Sequence, residues 1–323
     1  MKKRAPEVGG RSLSKRIFYY KELYLLLLPA GVLCFIFCFL PLVGLLVAFK
    51  DYDMFSADGS LFQAMFKSPW AAEYGFKYFL DIFRVKAMRE AISNTLLLSV
   101  ISLIICFPFP IMLAIMVNEI KKTFLKRTIQ TISYLPQFLS WIAVIGIFQA
   151  FLASDGVINN FIVWISGIFG ADYEPVMFLS KNELFIPIIV FVNVWKTVGW
   201  SAIIFFAAIT SIDNTLYEAA EIDGAGRLKQ IIHILIPQIL PMISIVFILS
   251  MGSFFKSNFE LIIGFQNPHI NFETIDTLVF KNGLQSGNYS AATALGLTQG
   301  LVSVTLVMIT NQVVKRLSGN SLF

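Results

Sequence analysis

The sequence predicts an all-α, polytopic membrane protein with six transmembrane helices. Three observations carry that prediction. Hydrophobic residues make up 57% of the 323 positions and charged ones only 14%, well away from the balance of soluble domains. Mean hydropathy is +0.74. Six apolar stretches are each long enough to cross a hydrocarbon core of about 30 Å, which takes roughly 20 helical residues.

The elements follow in order. Residues 1–22 form a basic tail; the apolar run after it, about 23–49, is too long for a cleaved secretory signal core and reads as the first span. The others are expected at about 91–117, 129–153, 184–212, 231–255 and 291–314, inside a transmembrane domain of 23–316, with 317–323 as a C-terminal tail. A seventh apolar stretch, 157–169, is short and fits a re-entrant or interfacial helix. Pro108, Pro110, Pro136, Pro187, Pro237 and Pro241 fall within spans, where each removes a backbone donor and favours a kink.

Lys and Arg orient the chain, because basic loops stay on the cytoplasmic side. With the N-terminus inside, the cytoplasmic segments hold fifteen Lys and Arg against seven Asp and Glu. Both termini and the central polar segment 213–230 are therefore expected in the cytoplasm. The basic tail is explained by topology and needs no nucleic acid.

Catalytic chemistry finds no foothold. Cys34, Cys38 and Cys106 lie in spans without CxxC spacing and read as small apolar fillers, and no metal site is expected. His233 and His269 fall on opposite sides of the membrane. The sequence has no G-x-x-x-x-G-K-[ST] loop, so it holds no phosphate cradle of its own.

The most informative segment is Thr215-Leu216-Tyr217-Glu218-Ala219-Ala220-Glu221-Ile222-Asp223-Gly224-Ala225-Gly226, followed by Ile234-Leu235-Ile236-Pro237. It reads as a compact helix at about 215–224, a glycine bend and a second helix entering the membrane. Thr215 and Glu218 have the spacing of a capping box, and Gly224 and Gly226 permit a turn that other residues would strain.

Glu218-Ala219-Ala220 with Gly224 and the closing Ile-Leu-Ile-Pro resembles the EAA motif of binding-protein-dependent ABC importer permeases. Ser93-Asn94-Thr95-Leu96, Tyr134-Leu135-Pro136 and Asn311 ahead of a basic end agree with it. The resemblance extends from about Lys15 to the C-terminus and is strongest to the carbohydrate-uptake branch, which handles oligosaccharides and uronate-type sugars.

The resemblance implies a transport subunit, not an enzyme, with ATP and Mg bound by a partner ATPase and no cofactor in this chain. It implies a second homologous permease chain, a cytoplasmic ABC ATPase dimer and an extracytoplasmic sugar-binding protein. Glu218, Ala219, Ala220, Asp223 and Gly224 would form the coupling helix that docks into the ATPase, the alternative being an ordinary amphipathic loop.

For the substrate path, polar and aromatic residues inside spans select Gln137, Trp141, Asn193, Trp195, Lys196, Trp200 and Asn258. Aromatic faces suit sugar rings, and amides or an ammonium suit hydroxyls and carboxylates. The alternative is that these groups bond one another between helices. An ion-coupled secondary transporter and a membrane-embedded enzyme or assembly scaffold are the alternative classes. The former should carry membrane-embedded carboxylates, and the predicted spans have none away from their ends.

Overall fold

The computed structural model describes residues 19–54, 61–170 and 173–318. The basic residues up to Arg16 and the C-terminal tail beyond 318 lie outside the described residues. The chain divides into two units, Met1–Lys77 and Tyr78–Phe323.

The first unit carries helix α1 (Lys21–Cys34), which continues as a π turn at Phe35–Phe39 and a 3-10 stretch at Leu40–Phe49. Its side chains, from Leu23 to Leu46, are largely exposed leucines and phenylalanines, as a lipid-facing span requires. Helix α2 (Leu61–Lys67) follows. Lys50 is buried beneath it, donating to the Phe66 carbonyl at 2.7 Å with its ammonium over the Trp70 ring. An Asp51–Lys77 pair at 3.2 Å adds a further tie.

The second unit is built from α3 (Lys77–Arg84, joining the two units), α4 (Lys86–Ile105), α5 (Pro108–Asn118), α6 (Thr123–Tyr134), α7 (Trp141–Leu152), α8 (Val157–Ile168) and α9 (Asn182–Thr210). Next come α10 (Asn214–Ile222) and α11 (Arg227–Gln230), then a π turn at Ile231–Leu235 leading into α12 (Ile236–Met251). The chain ends with α13 (Phe259–Phe265), α14 (Ile275–Phe280) and α15 (Tyr289–Ser318).

Helix α9 is the element on which the unit is assembled, packing against α4, α5, α6, α12 and α13. One apolar core joins Val144 and Phe148 of α7 to Phe185 and Ile189 of α9 and to Leu261 and Phe265 of α13. A second joins Ala114 and Val117 of α5 to Phe205 and Ile209 of α9 and to Leu235 and Ile239 at the start of α12.

Six stretches of the described residues are long and apolar enough to cross a membrane: Lys21–Phe49, Lys86–Asn118, Trp141–Ile168, Asn182–Thr210, Arg227–Met251 and Tyr289–Arg316. The third differs from the continuous helix expected over 129–153. Pro136 sits in a 3-10 turn at Leu135–Phe138, Leu139 is extended, and Ser140 starts a new helix by accepting the Ala143 amide at 3.2 Å. A proline without an N–H followed by a strong N-cap ends one helix and begins another.

Helix α8 forms where the short helix was expected. The fully buried Asn159 anchors it: its amide donates to the carbonyls of Ala153 and Val176, both at 2.9 Å, and accepts the Val176 amide at 2.9 Å. Pro187 and Pro241 lie inside their helices, whereas Pro108 and Pro237 stand at junctions, after the helical Cys106 and Phe107 and after the π turn at Ile231–Leu235, where a residue without an N–H interrupts the α-helical ladder.

Candidate functional site

The polar segment between α9 and α12 is stabilised by local chemistry. Asp213 caps α10: its carboxylate accepts the Thr215 amide at 2.9 Å. That hydrogen bond, with a further one from the Thr215 side chain, holds the Asp213 carboxyl below its usual range. The expected Thr215–Glu218 capping box is therefore not formed. The helix starts earlier, at Asn214, which puts Leu216 rather than Glu218 three residues beyond the cap.

The C-terminal end is a Schellman motif. Gly224 adopts φ +75°; the Ala225 amide reaches back to the Ala220 carbonyl at 2.8 Å and the Gly224 amide to Glu221 at 3.1 Å. Gly226 has φ −69° and acts as the extended N-cap of α11, so Gly224 alone makes the left-handed bend.

No residue of α10 is buried. Glu218, Ala219, Asp223 and Gly224 are exposed and Ala220 is half-buried. Ile222 is 88% exposed, an apolar side chain in water at the end of a rigid two-turn helix. Just beyond the bend, Arg227 pairs with Glu119 at 3.1 Å, tying the segment to the end of α5. Tyr217 points its hydroxyl into the same region; burial first, and then the Glu119 charge, push its pKa up.

The residues selected for a substrate path separate into three groups. Lys196 is buried, and its ammonium donates to the Gln137 carbonyl at 2.9 Å and to Pro136 at 3.4 Å while lying over the Trp141 ring at 4.8 Å. Gln137, Trp141 and Lys196 thus close the break between α6 and α7. Trp195 packs edge-on against Phe148 and Trp200 against Phe138. Asn193 and Asn258 instead line a cavity of about 350 Å³.

That cavity is lined by hydroxyls that the sequence reading missed. On α9, Asn193, Thr197 and Ser201 are spaced four apart and so share one face. Ser99 and Ser102 of α4 face it, as do Ser250, Ser253 and Ser257 at and beyond the end of α12. The signal was present as hydroxyls at three- and four-residue spacing within apolar helices. It is easily passed over because several of these side chains satisfy themselves locally: Thr197 donates to the Asn193 carbonyl at 2.7 Å and Ser250 to Phe247 at 2.7 Å.

Residues 106–319 match the model of the family described as "Binding-protein-dependent transport system inner membrane component", more than half of the chain. The chain belongs to that family. As a permease it is 38% identical to Protein LplB of Bacillus subtilis (strain 168), over 94% of this chain and 91% of that one. It is 35% identical, over 95% and 92% of the two chains, to the polygalacturonan/rhamnogalacturonan transport system permease protein YteP of the same organism.

A chain in the crystal structure of a bacterial alginate ABC transporter, in complex with alginate pentasaccharide-bound periplasmic protein, superposes with a TM-score of 0.84 at 35% identity. The match covers 97% of this permease and all of that chain. The membership makes the chain a transport subunit of a multi-pass inner-membrane system, and the secondary-transporter and scaffold alternatives are not favoured.

Proposed function

We propose that this permease pairs with a second, homologous permease chain and imports an oligosaccharide across the bacterial cytoplasmic membrane, driven by a cytoplasmic ABC ATPase dimer. An extracytoplasmic binding protein delivers the sugar. Both termini and α10 face the cytoplasm. The supporting observation is α10 itself: a two-turn helix capped at both ends, with no buried residue and an apolar tip at Ile222. A helix too short to be stable alone, yet held in shape and uncovered, is suited to a cleft in a partner.

The mechanics follow from its attachments. Asp213 starts α10 three residues after α9 ends, and the Gly224 bend leads through α11 directly into α12. A push on α10 is therefore delivered to two spans at once, and through Arg227–Glu119 to the end of α5. Closure of the ATP-loaded ATPase dimer would rock these helices from inward-open to outward-open. Glu218, Ala219, Ala220, Asp223 and Gly224 form the docking face, and ATP and Mg stay on the ATPase.

The carbohydrate assignment is supported by the relatives, whose names refer to polygalacturonan, rhamnogalacturonan and alginate, and by the hydroxyl-lined cavity. The test is a mild-detergent pull-down of the tagged chain from its native membranes, with wild type and Glu218→Arg in parallel, joined to oligosaccharide uptake in vesicles. Wild type should recover a Walker-motif ATPase, a second permease and a sugar-binding protein; the variant should insert normally but lose most of the ATPase and of the uptake. Undiminished ATPase recovery and uptake by Glu218→Arg would remove the coupling assignment.

A further inference from the structure

The hydroxyl stripes that line the cavity are chemically one-sided. Thr197, Ser250 and Ser253 each donate their proton to a nearby backbone carbonyl, at 2.7, 2.7 and 3.1 Å, and Ser99 donates to the Phe254 carbonyl. A hydroxyl that has given away its proton keeps its acceptor lone pairs. With Ser102, Ser201 and the amides of Asn193 and Asn258 offering donors as well, the wall is acceptor-rich, and it suits a ligand rich in O–H groups. At about 350 Å³ the cavity is at the low end of small-ligand sites, about 300–1,000 Å³, so it holds a terminal portion of a chain.

Among the described residues that line it, Lys256 carries the only charge and none is acidic. Lys256 is exposed and stands where the turn after α12 reaches the cavity rim, beside Ser257 and Asn258. Glu260, four residues after Lys256, is exposed in the first turn of α13 and is not among the lining residues; the acids around the start of α14 are engaged elsewhere. Asp276 accepts the Ser257 amide at 2.6 Å, the Ser257 hydroxyl at 2.7 Å and the Gln299 amide at 3.1 Å. Glu273 is paired with Lys281. The intramembrane Lys196 is spent on the carbonyls of the α6–α7 break. The cavity thus combines neutral acceptors along its walls with a single cation at its rim.

We propose that Lys256 is a specificity-determining residue that binds a carboxylate of an anionic, uronate-type saccharide, while the hydroxyl stripes accept hydrogen bonds from its ring hydroxyls. The proposal rests on the reading of this chain as a saccharide permease. A neutral sugar would satisfy the walls and leave the ammonium with water. An acidic one gains a charge-assisted hydrogen bond, stronger than a neutral one.

The test is uptake by the complete importer in proteoliposomes, using oligogalacturonate and alginate oligomers, each beside its carboxyl-reduced neutral counterpart. Lys256→Gln should raise KM for an acidic probe about tenfold, the scale of one hydrogen bond to a charged group, with maximal rate and neutral uptake unchanged. Lys256→Arg should restore most of the affinity. Equal losses on acidic and neutral probes, or no loss, would overturn the proposal. Wild-type uptake of neutral saccharides alone would overturn it while leaving the saccharide permease intact; uptake of neither class, by a complex that hydrolyses ATP, would overturn both.

Discussion

Gly199 of α9 packs directly against the backbone of Ser133 in α6, and Gly199→Ala should be among the most damaging single-methyl changes in the protein. A Cβ at 199 would fall 2.0 Å from the Ser133 carbonyl oxygen and 2.4 Å from its carbon, against an optimum of about 3.5 Å or more for such contacts. Both obstacles are backbone and cannot rotate away, so the helices must separate by something on the order of 1.5 Å. One turn earlier, Lys196 donates to the Gln137 carbonyl at 2.9 Å, and that separation carries the pair beyond the roughly 3.2 Å limit of a good hydrogen bond.

Overpacking costs about 1–3 kcal/mol and a lost hydrogen bond to a charge about 1.5–3 kcal/mol; the better helix propensity of Ala returns about 1 kcal/mol. The expected net loss is about 1.5–5 kcal/mol. Gly264→Ala is the control. Its Cβ would meet Ile145 Cδ1 at 2.5 Å, the movable end of a side chain, and should cost less than about 2 kcal/mol. Denaturant or thermal unfolding in a defined detergent reads both. A Gly199→Ala permease as stable as wild type, or one less affected than Gly264→Ala, would refute the close-contact argument.

Three further outcomes are expected. Tyr217 buries a hydroxyl that has no hydrogen-bond partner among the described residues, so Tyr217→Phe should leave stability unchanged or raise it by up to about 1 kcal/mol; a clear loss in unfolding experiments would reveal a partner for that oxygen. Asn159→Ala strands the Val176 amide, while the carbonyls of Ala153 and Val176 keep the amides of Gly156 and Phe178; the loss of about 1–3 kcal/mol should loosen α8, read as faster proteolysis near Tyr173–Met177. Glu119→Lys should change stability by less than about 1 kcal/mol, since its pair with Arg227 is partly exposed; under the coupling proposal it should raise the ATP hydrolysed per sugar imported, and Arg227→Glu in the same chain should reverse that rise.

The spans were legible because length and hydropathy are summed over about twenty residues, and single errors average out. The break in the third was not, because Leu135, Phe138 and Leu139 keep the apolar run going through the 3-10 turn, and hydropathy cannot see that Ser140 caps a new helix. The helix after α9 was legible in kind but misplaced at its start. Ser211, Asp213, Asn214 and Thr215 all have cap-competent side chains, and which one serves is decided by where α9 ends, at Thr210. Gly224 was legible at residue level, since a glycine after a helical run and before a re-entry has few other uses.

Lys196 shows why the substrate path was the harder reading. An ionisable residue inside a span is expensive and invites a functional explanation, and the sequence offers no way to see that the chain breaks here and turns the Gln137 carbonyl, beside a Pro136 carbonyl that already accepts the Leu139 amide, toward a side-chain donor. Those carbonyls sit at the negative end of a helix, so an ammonium there satisfies two acceptors and the end dipole together, with Trp141 covering its far side. Lys256, at the rim of the cavity, carries a charge that the fold does not consume in this way. Loss of transport on removing either lysine therefore has two different meanings. Removing Lys196 should reduce uptake of every substrate in step with stability, whereas removing Lys256 should change which substrate is taken; the ratio of acidic to neutral uptake, not its amount, separates the residue that holds the helices from the one that reads the sugar.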